Sequence, residues 1–178
     1  MRFKNTHPDV IIVGAGITGC ATALYLAEAG AKVEVVDSYC PGAMASGWTL
    51  AGVRQSGRDP AEIELARKAV KIWETLDLHL DTSTGYRQTG NLRLARTEDE
   101  TDIIRDLVHS QAANGLQIEL LDIRQAQQLA PALSNECILA SWCPTDGQAD
   151  PFKSVKGFKK AAERLGVVFK TNTTVTGI

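Results

Sequence analysis

The chain has 178 residues, enough for one domain or for one and part of another. Hydrophobic residues make up 44% and charged residues 22%, which excludes disorder over most of the length and leaves an ordinary globular composition. Net charge is −2 with Lys and Arg scattered, so no basic stripe marks nucleic acid or anionic lipid as a partner.

The first predicted element is a strand, Asp9-Val10-Ile11-Ile12-Val13, an apolar run that reads as a central strand buried on both faces. From Val10 to Ala27 there is no charge, and Arg2 and Lys4 precede that run, a pattern shared with signal peptides and spanning helices. Gly14, Gly16 and Gly19 break it into a strand and a helix. We therefore expect no membrane association and a cytoplasmic protein. The helix is predicted over 17–29, with Ala21, Leu24 and Ala27 on one face and Gly30 as its stop, and a second strand over 32–36 completes a βαβ unit.

Residues 38–59 hold Gly42, Gly47, Gly52 and Gly57 with Pro41, Ser46 and Ser56, and read as a long irregular segment of the kind that carries function. Pro60 opens a helix to about residue 79, its apolar face made by Ile63, Ala66, Val70, Trp73 and Leu76. A strand over 86–95 bends at Gly90-Asn91. Then come a helix over 98–114, a strand over 117–120, a short helix capped by Asp122, a strand over 137–142, a helix over 152–164, and strands over 167–170 and 173–178. The apolar ending Thr174-Val175-Thr176-Gly177-Ile178 reads as a chain cut within a sheet.

Cys20, Cys40, Cys137 and Cys143 show no CxxC spacing and no zinc pattern with a histidine, so free thiols and no metal are expected. Asn172-Thr173-Thr174 matches a glycosylation acceptor, with nothing else pointing to secretion.

Gly14-Ala15-Gly16-Ile17-Thr18-Gly19 is G-x-G-x-x-G. It follows a strand, opens a helix, and precedes Asp37 at the end of the next strand. Gly14 permits the tight turn, Gly16 lets a pyrophosphate approach the backbone, and Gly19 lets helix and strand pack closely. The helix start presents free N–H groups and partial positive charge to phosphates, while Asp37 accepts from a ribose hydroxyl and repels a 2′-phosphate. The pattern marks the ADP half of a dinucleotide. By itself it does not separate FAD from NAD.

Those residues, with Ala27-Glu28-Ala29-Gly30 and Val35-Val36-Asp37, resemble the FAD-dependent oxidoreductases of the D-amino-acid oxidase type, a group that includes glycine oxidase, sarcosine oxidase beta subunits, hydrogen cyanide synthase subunits and opine oxidase subunits. Ala45-Ser46-Gly47 and Ala51-Gly52-Val53-Arg54-Gln55 are similar to the segment that passes the flavin pyrophosphate and ring. Gly90-Asn91-Leu92-Arg93-Leu94-Ala95 is similar to a strand of the substrate domain. Asp146-Gly147-Gln148-Ala149-Asp150-Pro151 resembles the return into the FAD domain, and Val175 stands where the chain passes the adenine.

The resemblance covers essentially the whole chain. It implies an α/β fold: a Rossmann-like FAD-binding βαβ unit with part of a second, α+β substrate domain. The boundaries it implies are 8–85 for the first part of the FAD domain, 86–145 for the partial substrate domain and 146–178 for the return. It also implies that about half of the enzyme is missing, including a late glycine-rich segment at the flavin ring. The cofactor-binding set is then Gly14, Ala15, Gly16, Ile17, Thr18, Gly19, Asp37, Ser38, Ser46, Gly47, Gly52, Val53 and Val175; Arg54, in the ring-side segment, reads either as a ligand of a substrate carboxylate or as a loop arginine facing solvent or phosphate. No histidine occurs in 147–155, so the covalent link to a second flavin in sarcosine oxidase beta subunits does not carry over.

The flavin supplies the chemistry in this family, so no catalytic acid–base pair is required here, and none is assigned. His7, His79 and His109 read as surface or packing residues, and Trp48 as either a pocket wall or a packing residue. The expected function is FAD-dependent oxidation of the C–N bond of a small amine or amino acid such as sarcosine, a D-amino acid, proline or an opine, with other oxidase subunits as possible partners. The alternatives are an NAD-dependent dehydrogenase, which would continue with alternating strands and helices after Asp37, and a non-catalytic dinucleotide-binding piece.

Overall fold

The computed structural model describes residues 7–177; Arg2, Lys4 and Ile178 lie outside them. Along the chain run β1 (Val10–Val13), α1 (Ile17–Glu28), β2 (Val33–Val36), β3 (Gly52–Val53), α2 (Pro60–Leu80), β4 (Asn91–Ala95), α3 (Glu98–Ala113), β5 (Glu119–Asp122), α4 (Ile123–Leu129), β6 (Leu139–Cys143), β7 (Gly147–Gln148), α5 (Pro151–Arg164) and β8 (Val168–Lys170). These elements group into two compact units. One takes the chain up to Ala51, then Thr75–Gly85, then everything from Ala149. The other takes Gly52–Glu74 and Tyr86–Gln148. Residues 52–74, read from sequence with the cofactor domain, thus pack with the second unit.

The first unit is built on a parallel sheet in the order β1-β2-β8, with Val10 beside Val33 and Val36 beside Lys170. Parallel neighbours need a crossover, and α1 supplies it between β1 and β2. Cys20, Ala23 and Leu24 form the buried side of α1, shifted from the face expected from Ala21, Leu24 and Ala27. The helix packs on α5, whose buried side includes Val155, Phe158, Ala161 and Ala162. Asp150 caps α5 by accepting the Lys153 N–H at 2.9 Å, and Pro151 occupies the first turn, where no amide partner is lost.

Two expectations fail in this unit. Among the described residues β1 stands at the edge of the sheet, with Ile11 59% and Val13 61% exposed, while β2, flanked on both sides, buries Val33, Val35 and Val36. An apolar run looks the same in either place; the difference is made by β8, which arrives from far along the chain to pair with β2. The strand expected over 173–178 is also absent among residues 173–177. Asn172 adopts a left-handed conformation (φ 53°), and the Thr173 N–H then donates to the Asp37 carbonyl at 2.9 Å, so the chain crosses the end of β2 without a strand to pair with.

An antiparallel sheet in the order β4-β6-β5 forms the second unit, with α3 packed on it. Ala95, Ile104, Val108, Leu116, Ile118 and Cys143 make one core cluster. Thr97 caps α3 by accepting the Glu100 N–H at 3.2 Å, and Asp122 with Gln125 forms a complete capping box at α4. The strand expected over 86–95 begins only at Asn91. Gly90 is left-handed (φ 76°) under the Trp142 ring, and before it Arg87 makes an isolated bridge to Gln148. β5 and β6 start about two residues later than expected, within the usual slack of strand ends.

Among the described residues, no helix is long and apolar enough to cross a membrane, and no group of His, Cys, Asp or Glu is arranged to hold a metal. The four cysteines are free; Cys40 is exposed and the others are buried. Burial pushes the Cys20 thiol up to about 12.

Candidate functional site

The turn from β1 into α1 is made by Gly14 at φ 106°, a conformation that side chains rarely adopt. Gly16 is the N-cap of α1, with no side-chain cap and no acid in the first turn. A Cβ on Gly16 would stand 2.9 Å from Ser46 Oγ, and one on Gly19 would overlap the Gly14 carbonyl oxygen. The glycine pattern therefore marks two close approaches, helix to strand at Gly19 and helix start to loop at Gly16.

Two side chains close on this turn. Ser46 Oγ accepts the Ile17 N–H at 2.9 Å. Asp37, at the end of β2, accepts the Ala15 N–H through Oδ2 at 2.5 Å and the Tyr39 N–H through Oδ1 at 2.7 Å. Val13, Gly14, Asp37, Ser38, Tyr39, Met44, Thr173 and Val175 line a cavity of about 240 Å³. Gly14 to Gly19, Asp37, Ser38, Ser46, Gly47 and Val175 thus all belong to the first unit, the last five lying in the loop after β2 or beyond β8. Tyr39, Met44 and Thr173 were not singled out from sequence. Tyr39 and Met44 sit in the glycine-rich loop already flagged, and Thr173 comes with the turn at Asn172.

Trp48 stands in the same loop, 83% exposed, its indole donating to the Ala43 carbonyl at 2.9 Å. His79 pairs with Glu28 at 3.0 Å and stacks on Tyr25, a packing role at the end of α2.

Gly52, Val53 and Arg54 belong to the second unit. They line a separate cavity of about 330 Å³ with Arg58, Glu62, Leu65, Ala66, Ala69, Val70 and Trp73. β3 is held by antiparallel pairing with β7. Arg58 and Glu62 were missed by sequence reading; a second arginine four residues from Arg54 in a loop was the available signal. The residues that follow Arg54 join a buried polar cluster. Asp146, fully buried, accepts from Gln55 and Ser56, and Gln55 Nε2 donates to Thr145 Oγ1 at 2.6 Å. Burial, then the charge of Glu74 and Asp146, raises the Tyr86 hydroxyl above its ordinary value.

The FAD dependent oxidoreductase family (DAO) matches residues 9–178. The chain is 24% identical over 172 residues to dimethylglycine dehydrogenase of Rattus norvegicus, covering 96% of this chain and 20% of that protein. It is 29% identical over 184 residues to sarcosine oxidase subunit beta of an Arthrobacter species, covering 95% of this chain and 44% of that protein. The crystal structure of glycine oxidase from Bacillus cereus superposes with a TM-score of 0.88 at 30% identity, covering 97% of this chain and 48% of that one. The chain thus spans between a fifth and about half of these proteins' lengths.

Proposed function

The chain belongs to the DAO family of FAD-dependent oxidoreductases, and on that premise we propose that its first unit seats the ADP half of FAD and that the protein oxidises the C–N bond of a small amine or amino acid.

The observation that carries this reading is the open start of α1. First-turn amides have no carbonyl partner within a helix, and their partial positive charge favours a pyrophosphate. Here the cap is a glycine and no acid stands within the helix's own first turn, while Ser46 and Asp37 reach the turn from the loop and from the end of β2. Ser46 adds a donor: its oxygen accepts from Ile17 and its own proton remains to be given. Asp37 spends one acceptor site of each oxygen on the backbone and keeps others for ribose hydroxyls, and its charge opposes a 2′-phosphate. The cavity beside it, about 240 Å³, is smaller than the roughly 300–1,000 Å³ of a pocket for a whole ligand. That size suits one half of a dinucleotide. The residues therefore fit FAD, with Gly14 to Gly19, Ser46 and Gly47 at the pyrophosphate, Asp37 and Ser38 at the ribose, and Val175 with Thr173 at the adenine. Gly52 and Val53 are assigned to the ring side.

Held by these residues, FAD would supply the hydride acceptor for oxidation of a carbon beside a neutral amine. The chain's own share is to bind, orient and neutralise charge. Arg54 serves as ligand of a substrate carboxylate, for which a guanidinium offers paired donors. Dimethylglycine, sarcosine and glycine, the compounds that name the relatives, are small amines bearing a carboxylate, which supports the same class here. The relative that is a beta subunit supports assembly with other oxidase subunits.

The test is the visible spectrum of the purified full-length protein. We expect bound flavin that is bleached without oxygen by at least one of sarcosine, dimethylglycine, glycine and proline. A colourless protein that takes up no added FAD overturns the reading, and retention on NAD instead would favour a nicotinamide enzyme. Bound flavin untouched by every amine would leave a dinucleotide-binding role alone.

A further inference from the structure

Resting on the reading of Arg54 as a carboxylate ligand, we infer that Asp146 and Gln111 are positioning residues: they hold the loop between β3 and α2 so that Arg54 and Arg58 stand at fixed places on one cavity.

The loop has no secondary structure of its own, and both arginines are exposed. Its backbone is nonetheless bound at four successive residues. The Gln55 N–H donates to Asp146 Oδ1 at 2.8 Å, the Ser56 hydroxyl donates to Oδ2, and the Ser56 N–H lies between both oxygens at 3.3 and 3.4 Å. From another element, Gln111 of α3 accepts the Gly57 N–H through Oε1 at 3.1 Å and donates from Nε2 to the Arg58 carbonyl at 3.1 Å. Gln111 is 2% exposed and Asp146 fully buried. These partners stand 53 to 91 residues away in sequence.

Burying a carboxyl group and an amide is unfavourable unless their acceptors and donors are used, and here they are used on one loop. A plain connection between a two-residue strand and a helix does not need that. What the arrangement provides is a defined backbone at Arg54 and Arg58, which line the 330 Å³ cavity whose other lining is mostly apolar, from Leu65, Ala66, Val70 and Trp73. Asp146 and Gln111 do not line it, so any effect on a ligand there passes through the arginines. Two guanidinium groups on a fixed backbone are pre-organised for one carboxylate, because the ordering cost is met in folding and not in binding.

The test uses the natural full-length flavoprotein with Asp146→Asn and, on the other side of the loop, Gln111→Glu. Both keep the size of the residue; each turns one partner atom from acceptor to donor or the reverse. Amide hydrogen exchange is expected to speed up by about tenfold at residues 55–57, the equivalent of one hydrogen bond, with peptides of the first unit unchanged. For whichever of sarcosine, dimethylglycine, glycine or proline reduces the flavin, KM is expected to rise about fivefold or more with kcat within about twofold, the pattern of lost ground-state binding. In an Arg54→Met, Arg58→Met background the same variants should change KM by less than about twofold, because residues acting through one another are not additive.

If either variant multiplies KM equally with and without the arginines, or if both leave KM and exchange at 55–57 unchanged, the inference is overturned. Arginine variants that raise KM while the Asp146 and Gln111 variants do not would sink the inference alone. Arginine variants that leave KM unchanged would remove the carboxylate reading, and the inference with it.

Discussion

The start of α1 and the loop at Arg54 are both places where the chain holds polar groups in a defined position, and they are built differently. At α1 the material is backbone, glycine and two short side chains, Ser46 and Asp37, which reach their partners across 29 and 22 residues. At the loop the material is buried side chains, Asp146 and Gln111, which reach across 91 and 54 residues. The first design leaves no room for an added methyl at Gly16 or Gly19. The second depends on buried donors and acceptors being paired. Substitutions can break or sharpen that contrast.

The largest effect is expected at Gly19→Ala. The new methyl would overlap the Gly14 carbonyl, and neither backbone can move without unseating α1 from β1. We expect a loss of about 3 kcal/mol or more in urea unfolding, and protein purified without flavin. Full flavin occupancy in this variant would remove steric exclusion as the principle of the first region.

Ser56→Ala probes the second region. It deletes the hydroxyl that donates to Asp146 Oδ2 and leaves only the long amide contact there. A buried acceptor left short of a donor costs about 1–3 kcal/mol, read from the urea midpoint, with flavin content unchanged. Flavin loss would show that the two regions are not independent in the way their separate contacts imply.

Ser46→Ala returns to the first region with a smaller change. It removes the partner of the Ile17 N–H and the hydroxyl proton left to donate. Stability should fall by about 1 kcal/mol, as for loss of a cap, and apoprotein titrated with FAD should bind several-fold more weakly. Unaltered FAD affinity would assign Ser46 to helix capping alone.

Smallest is Ala51→Gly, at the residue before β3. Ala51 is left-handed at φ 65°. Relief of that strain, less the added freedom of the unfolded chain, should stabilise the protein by about 0.5 kcal/mol. A lower melting temperature would mean that the Ala51 methyl contributes more by packing than its backbone costs.

Much of the first region was legible in the residues. Gly14 makes the expected turn and Gly19 the expected close approach of helix to strand, while the space that Gly16 leaves is met by Ser46 Oγ. Helices α2, α3 and α5 were readable within a residue or so because caps and breakers stand at their ends: Pro60, Thr97, Asn114, Asp150 and Gly166. The sites of error were strands. β1, read as central, lies at the edge among the described residues, β4 was begun too early, and 173–177 was read as extended pairing where the described residues show none. Strand identity depends on a partner, and the pattern within a strand does not carry the partner. The second region was legible only as residues of interest: Arg54 was noticed, while Arg58, Gln111 and Asp146 received no role, since nothing local to them points at one another.

What the sequence determined by itself was the βαβ turn with its acid and its glycines, because sterics, helical period and capping act between residues a few positions apart. Which strand lies at the centre, where residues 173–177 pass Asp37, and what clamps the loop at Arg54 were decided only in the tertiary structure. Those outcomes depend on hydrogen bonds that must be completed once groups are buried together, and the partners that complete them come from the far end of the chain.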